Sequence, residues 1–347
     1  MKLMKVAMYY KNNDVRIEDM EIPSINDDEI LVKVHSSGIC GSDVMEWYRI
    51  KKAPLVLGHE IGGEIVGIGR NVKEYKIGDR VFVSHHVPCN ECSFCLDDKH
   101  TLCDTLHSTN YYPGGFAEYI RIPKINVDVG VFKLPHEITY DESVFIEPLA
   151  CVVRSMRISD MKPDKNVLII GSGIAGLLHI KLARFMGANK IISTDINNYR
   201  LKIAKKIGSD FLINAKKDII DELNKINGGI FPDYVFLCTG AISAVKQALL
   251  SINQGGTIMF FAPTKPGVEI PFPLFDLWNK EVKMLSTYAG APRDIDESIS
   301  LIRDKKITVD DLISHKLPLK EASKGFKLVE NASDSLKVIL KPHMGID

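Results

Sequence analysis

Two short stretches carry the side chains best suited to chemistry. Cys40 lies in Gly38-Ile39-Cys40-Gly41-Ser42-Asp43, and nineteen residues later His59 lies in Leu57-Gly58-His59-Glu60. Together they offer a thiolate, an imidazole, a hydroxyl and two carboxylates. A few N/S ligands with one position left for water or an oxygen is the ligand set of a catalytic zinc site. The flanking glycines let the backbone turn sharply, so side chains distant in sequence can meet at one ion. A lone Cys or a lone His is more often a packing residue, so the reading depends on what the rest of the chain supplies.

Four further cysteines, Cys89, Cys92, Cys95 and Cys103, follow the spacing Cys-x2-Cys-x2-Cys-x7-Cys. Four thiolates this close in sequence can enclose a tetrahedral zinc with no open position, which makes the site structural. The rival is an iron–sulfur cluster, whose bacterial run has a shorter last gap and a Pro after the fourth Cys; here Asp104 follows. His85, His86, His100 and His107 flank this lobe and read as polar surface histidines. Glu147 lies in the apolar stretch Phe145-Ile146-Glu147-Pro148-Leu149. It reads either as a helix-start carboxylate or as a further oxygen donor, or water-holder, at the zinc of Cys40 and His59.

A second kind of site begins at Asn166. Asn166–Ile170 is a continuous apolar run, as in a strand buried on both faces. It leads into Gly171-Ser172-Gly173-Ile174-Ala175-Gly176, then a helical pattern from Leu177 to Met186, then a strand, Lys190–Asp195. This is G-x-G-x-x-G inside a strand–helix–strand unit, with an acid nineteen residues beyond the last Gly. Gly171 makes the tight turn, Gly173 lets the backbone approach a pyrophosphate, and Gly176 allows close helix–strand packing. The pyrophosphate rests on the helix N-terminus, where Ile174 and Ala175 begin, and Asp195 accepts from the adenosine ribose hydroxyls.

The elements that position these groups divide the chain in two. Before residue 150 the pattern is β-rich: Lys5–Tyr10, Glu29–His35, Glu60–Ile68, Arg80–Ser84 and Phe116–Ile122 read as short strands separated by Gly, Pro, Asn and Asp. After Asp195, Phe211–Ile213, Tyr234–Cys238, Thr257–Phe261 and Val282–Tyr288 read as strands, giving the six expected of a complete doubly wound dinucleotide fold. Thr239 follows one of these strands and is placed either to touch nicotinamide or simply to turn the chain. The tail reads as a helix, Ile295–Arg303, a helical stretch, Leu319–Glu330, and a strand, Ser335–Lys341. That last strand has no place in a six-stranded sheet and is expected to return to the first domain. The expected division is therefore α/β with two domains: 1–152 completed by 290–347, and 153–289.

Bulk properties exclude several classes. The 347 residues carry 44 Lys+Arg and 44 Asp+Glu, so charge gives no case for nucleic acid or anionic membrane as partner. There is no apolar run long enough for a membrane span and no secretory signal at the start. The seven cysteines are an odd count with four bunched, which favours metal over a disulfide frame and a reducing, cytoplasmic setting.

With these motifs assembled, the chain resembles the zinc-containing medium-chain alcohol/polyol dehydrogenases over nearly its whole length. The resemblance is carried by Gly38–Asp43, Gly58-His59-Glu60, Gly78-Asp79-Arg80-Val81, the four-Cys lobe, Gly114-Gly115-Phe116-Ala117-Glu118-Tyr119, Glu147-Pro148 and the Gly171 loop. It implies a GroES-like catalytic domain, a Rossmann domain, a cleft between them, and a homodimer or homotetramer. Glu147-Pro148 is similar to the sorbitol dehydrogenase branch, where Glu replaces the cysteine ligand of ordinary alcohol dehydrogenases. The resemblance further implies that Cys40 and His59 are direct ligands and that Glu147 holds the zinc water or binds the metal. Glu60 would lie behind the ion, Asp43 orient His59, and Ser42 accept the hydroxyl proton. Arg200 is implied at the adenosine ribose and Tyr288 in the substrate pocket. There are departures: Met45 and Glu46 stand where sorbitol dehydrogenases typically have His and Tyr, and Thr287 replaces a substrate-contacting Arg.

The expected activity is reversible oxidation of a secondary hydroxyl of a polyol, cyclitol or sugar-derived substrate, with two zinc ions per chain and NAD rather than NADP. Threonine 3-dehydrogenase and a general alcohol dehydrogenase are the alternatives within enzymes. A zinc-free reductase or a non-catalytic nucleotide-binding protein is the alternative outside this chemistry.

Overall fold

In the first unit, period-2 alternation of apolar and polar residues produces strands with one buried face. The computed structural model describes residues 2–345, and the chain folds as two units, Met1–Ala150 with Gly290–Asp347, and Cys151–Ala289. Strands of the first unit are β1 (Leu3–Lys11), β2 (Asp14–Glu21), β3 (Ile30–Ile39), β4 (Leu55–Val56), β5 (Glu60–Ile68), β6 (Arg80–Val83), β7 (Tyr119–Ile122) and β8 (Val131–Lys133). β1 pairs antiparallel with β2 and β4, and β3 is the hub of a second sheet, pairing with β5 and β7. Val32, Val34 and Ile30 on β3 are fully buried against Ile61, Ile65, Phe116 and Phe326.

The second unit contains β9 (Asn166–Ile170), β10 (Lys190–Asp195), β11 (Phe211–Asn214), β12 (Tyr234–Leu237), β13 (Thr257–Phe260) and β14 (Lys283–Ser286). They form one six-stranded sheet in the order β11-β10-β9-β12-β13-β14, with every neighbouring pair parallel. The order reverses between β9 and β12, and such a switch point is where doubly wound sheets take ligands. The expected helix after the glycine loop runs Ile174–Phe185, starting three residues earlier than its sequence pattern.

The tail returns to the first unit. β15 (Ile313–Pro318) pairs with β16 (Lys337–Lys341), and β16 pairs antiparallel with β3, Val338 opposite Ile39. This puts the C-terminal strand beside the strand that ends at Cys40.

Two differences from the sequence reading bear on the first unit. The strand expected over Phe116–Ile122 is ordered as a strand only from Tyr119, with Ala117 making an isolated bridge to Val6. β2, Asp-Val-Arg-Ile-Glu-Asp-Met-Glu, has charges on both faces and escapes a period-2 search. Ile146–Ile158 forms a thirteen-residue helix that carries Glu147 in its first turn, as the helix-start reading of that carboxylate expects. Pro148 is tolerated there because the first turn needs no intrahelical N–H.

Candidate active site

Strand β3 delivers Cys40 at its end. The backbone of Cys40 is extended and caps a short 3-10 turn over Gly41–Val44. The cap is reciprocal: Ser42 N–H donates to Cys40 Sγ at 3.4 Å, and Cys40 N–H donates to Asp43 Oδ2 at 3.0 Å. This turn points Cys40, Ser42 and Asp43 from one rigid corner.

His59 and Glu60 arrive at the start of β5, whose Glu60 is paired in register with Gly38 of β3. A Cβ on Gly38 would run into Glu60 Oε2, so the glycine is required by the carboxylate lying across it. His59 Nδ1 stands 3.4 Å from Asp43 Oδ1. One ligand atom each from Cys40, His59 and Glu60 lie within 4.8 Å of one another, a grouping that can hold a metal ion. Glu60 Oε1 is buried without a hydrogen-bond partner, and a buried carboxylate oxygen of that kind is satisfied by a cation. The donor set therefore fits a divalent ion that takes sulfur, nitrogen and oxygen, as zinc does.

The electrostatics bind the trio together. Burial works against charge on Asp43, but His59, Arg49 and the Cys40 N–H outweigh it and hold its pKa below the ordinary carboxylate value. Burial likewise opposes the His59 imidazolium, yet the charges of Asp43 and Cys40 raise its pKa well above normal in the metal-free chain. Behind Glu60, Lys337 of β16 brings its ammonium to 2.6 Å from Oε2.

Glu147 lies outside the closest trio, although its charge bears on Lys337 and on the buried Tyr111. Tyr111 donates its hydroxyl to Gly58 O at 3.3 Å, directly behind His59. His85 corrects the surface reading of the lobe histidines: it is half-buried, its ring centroid 4.9 Å from that of His59. Burial, followed by the charges of His86 and His59, pushes its pKa well below normal. His86 lies against it with ring centroids 3.8 Å apart and is half-buried, as is His100, whereas His107 is exposed as expected.

The four cysteines of the lobe converge. Cys92 and Cys95 sulfurs are 3.6 Å apart, as are Cys89 and Cys103, and all four fall within 4.8 Å. None of the seven cysteines is in a disulfide. Backbone N–H groups of Cys89 and Cys92 point at the sulfurs of Cys103 and Cys89. Although burial raises the Cys103 thiol, backbone amides, that of Cys89 first, bring its pKa down to about 6. A preformed nest of donors around partly ionised sulfurs fits a tetrahedral metal. Arg293 reaches Asp98 of the lobe at 2.7 Å and ties it to the helix Pro292–Arg303.

In the second unit, Gly171 turns with φ +95° at the end of β9, and a Cβ there would meet Thr239 and Cys238 of the neighbouring strand end at 3.3 Å. Asp195 ends β10 with one oxygen accepting from Ser172 N–H and the other from Asn197 N–H, both at 2.8 Å. Each oxygen keeps a lone pair for a further donor, as a ribose hydroxyl would supply. Arg200 Nη1 lies 3.7 Å from where a Cβ on Gly173 would be, so a cation stands at the glycine loop. Tyr288 follows β14 and is 42% exposed.

A class is defined by this combination of a β-rich unit bearing a Cys–His–Glu trio and a parallel-sheet unit bearing a glycine loop. Residues 26–136 match the family model of the alcohol dehydrogenase GroES-like domain, and residues 175–304 match that of zinc-binding dehydrogenases. The sorbitol dehydrogenase of Mus musculus is 31% identical over 338 residues, covering 94% of this chain and 93% of that protein. Among solved structures, a protein described as a short chain alcohol dehydrogenase of E. coli CFT073, complexed with NADH, aligns with a TM-score of 0.88 at 26% identity, covering 98% of this chain and 100% of that one. A chain described as a zinc-binding dehydrogenase of Sinorhizobium meliloti 1021, bound to NADP, aligns at 0.87 and 26%, covering 99% and 100%. The chain belongs to the zinc-containing medium-chain dehydrogenase family, in its sorbitol dehydrogenase-like branch. No helix among the described residues is long and apolar enough to cross a membrane.

Proposed function

We propose that this chain catalyses the reversible NAD-linked oxidation of a secondary hydroxyl of a polyol, cyclitol or sugar-derived substrate to the ketone. The observation that carries this reading is the convergence of Cys40, His59 and Glu60, with Ser42 in the same turn as Cys40, its N–H donating to the Cys40 sulfur. Zinc held there would supply Lewis acidity toward the alcohol oxygen, and bound NAD would be the hydride acceptor.

The chain's own residues do the rest. Cys40 and His59 are the fixed ligands, and Asp43 engages Nδ1 of His59, leaving Nε2 as the ring's remaining donor. Glu60 and Glu147 are the carboxylates available to complete the set or to hold a water. Ser42 accepts the proton of the substrate hydroxyl. Cys89, Cys92, Cys95 and Cys103 hold a second, structural zinc, so the chain carries two. Gly171, Gly173 and Gly176 give the pyrophosphate its approach to the N–H groups of Ile174 and Ala175. Asp195 and Arg200 take the adenosine ribose, Thr239 borders the nicotinamide side, and Tyr288 lines the substrate pocket.

Asp195 places a carboxylate where a 2′-phosphate would be repelled, which favours NAD over NADP. For assembly, we propose a second copy of the chain as partner. Edge strand β14 is flanked by the helix Leu274–Asn279, whose Leu274, Phe275 and Trp278 are about 70% exposed. An apolar cluster beside an unpaired sheet edge is the kind of surface that associates. Native mass spectrometry of Trp278→Glu should show monomers where the unaltered chain shows a dimer or tetramer.

The deciding experiment is NADH release over hexitols, pentitols, inositols, sugar acids, phosphorylated polyols and threonine. Turnover confined to polyols and their relatives supports the reading. Turnover on threonine alone, or none on any alcohol with zinc loaded, overturns it.

A further inference from the structure

Ser42 is gripped by a residue that the sequence motifs leave unassigned. Arg49, at the end of the short helix Glu46–Arg49, donates Nε–H to the Ser42 carbonyl and Nη2–H to Ser42 Oγ, both at 3.0 Å. The same Nη2 lies 3.5 Å from Asp43 Oδ1, the oxygen that faces His59. The guanidinium is 17% exposed and lies over the Tyr48 ring at 4.7 Å. Two bonds from one planar group to one residue fix both its backbone and its side-chain rotamer, which a single donor would not do.

From this geometry we infer that Arg49 is the positioning residue for the Ser42 hydroxyl. The inference rests on the proposed alcohol oxidation. A serine hydroxyl has one hydrogen and two lone pairs. Arg49 occupies one lone pair, so the other is the only acceptor left for the substrate's proton. As the substrate O–H breaks, its proton forms a new bond to Oγ while the original Ser42 O–H breaks and its proton passes to water. The electron pair left on the substrate oxygen becomes the second C–O bond as hydride departs to NAD+. A guanidinium cannot take the proton, because it stays charged at every accessible pH. Its fixed positive charge instead favours the oxygen that is momentarily electron-rich. In this chain Met45 and Glu46 follow the motif, and Arg49 is the side chain that reaches Ser42.

The test is a double-mutant cycle with Arg49→Met, Ser42→Ala and the pair, each checked for unchanged zinc content. Arg49→Met should lower kcat about tenfold with KM moved by about twofold or less, and Arg49→Lys should recover part of the loss. In the Ser42→Ala background the Arg49 change should cost about twofold or less, since there is no hydroxyl left to orient. A crystal structure of metal-free Arg49→Met should show the Ser42 hydroxyl in another rotamer, with Cys40 and His59 unmoved. Equal losses in both backgrounds, or an unmoved Ser42 rotamer, overturn the inference while leaving the proposed oxidation intact. An inactive parent enzyme overturns the oxidation itself, and the rotamer readout still judges the Arg49 contact.

Discussion

Lys337 and Glu60, 277 residues apart, form a buried ion pair at 2.6 Å with the two side chains 2% and 0% exposed. The pair joins the last strand of the chain to the candidate metal site. Burial alone would lower the Lys337 pKa, but the charges of Glu60, Cys40 and Glu147 outweigh it and hold the ammonium charged.

Removing one member of such a pair strands the other. Lys337→Met should destabilise the metal-free chain by about 3–5 kcal/mol, seen as a lowered urea midpoint. The double change Lys337→Met with Glu60→Gln should recover much of that loss, because no uncompensated charge remains. Equal losses in the single and double variants would show that the ammonium's packing, not its charge, is what matters.

The two metal sites should separate cleanly. Cys40→Ala is expected to keep one zinc per chain and lose turnover by at least about 10^3-fold. Cys92→Ser should also drop to one zinc, but with its chief effect on thermal stability, since a structural zinc contributes folding energy. Metal analysis and a melting curve on each variant read this out. Full activity in the Cys40 variant would remove that residue from the site.

Much of the fold and the site is legible in the sequence, for a physical reason. The glycine loop is a local signal: Gly171, Gly173 and Gly176 and their flanking strand and helix are contiguous, and the six-stranded order follows from that unit. The candidate ligand pair Cys40 and His59 also stands out through the motifs around it. Lys337 does not, because nothing local distinguishes one lysine among the chain's 44 basic residues. Its role depends on β16 pairing with β3, a contact made only on folding. Arg49 is hidden in the same way, within a short turn with no periodicity. His85 reads as a surface residue since burial beside His59 is decided by how the lobe folds back.

Cofactor choice follows from the end of β10. The kcat/KM for NAD should be at least about tenfold above that for NADP. Asp195→Ser should narrow the gap, and adding Arg200→Ala should then weaken NADP, because the cation at the glycine loop is what remains to meet a phosphate. A parent enzyme that prefers NADP would contradict the role given to Asp195.

His179 predicts an acid weakness in the dinucleotide unit. It is fully buried, donates Nδ1–H to Ala175 O at 2.7 Å and accepts from Ser155 Oγ at 3.0 Å. Burial lowers its pKa to about 4 from the ordinary 6.5, the Ala175 carbonyl offsetting only part of this. Between these pH values the unfolded chain binds a proton that the folded chain refuses. Stability is therefore full above about pH 6.5 and falls as pH drops toward 4, by on the order of 3 kcal/mol for this group. His179→Gln should flatten that part of the urea-midpoint profile. An unchanged slope would assign the acid sensitivity elsewhere.

The proposed oxidation requires a zinc ion held by Cys40 and His59. NADH formation should be measured with the best polyol substrate before chelation, after removal of zinc from the open site with the lobe zinc retained, and after zinc is returned. Turnover should be lost on removal and return with one equivalent per chain. Undiminished NADH formation by protein whose open site is verifiably empty would contradict this requirement.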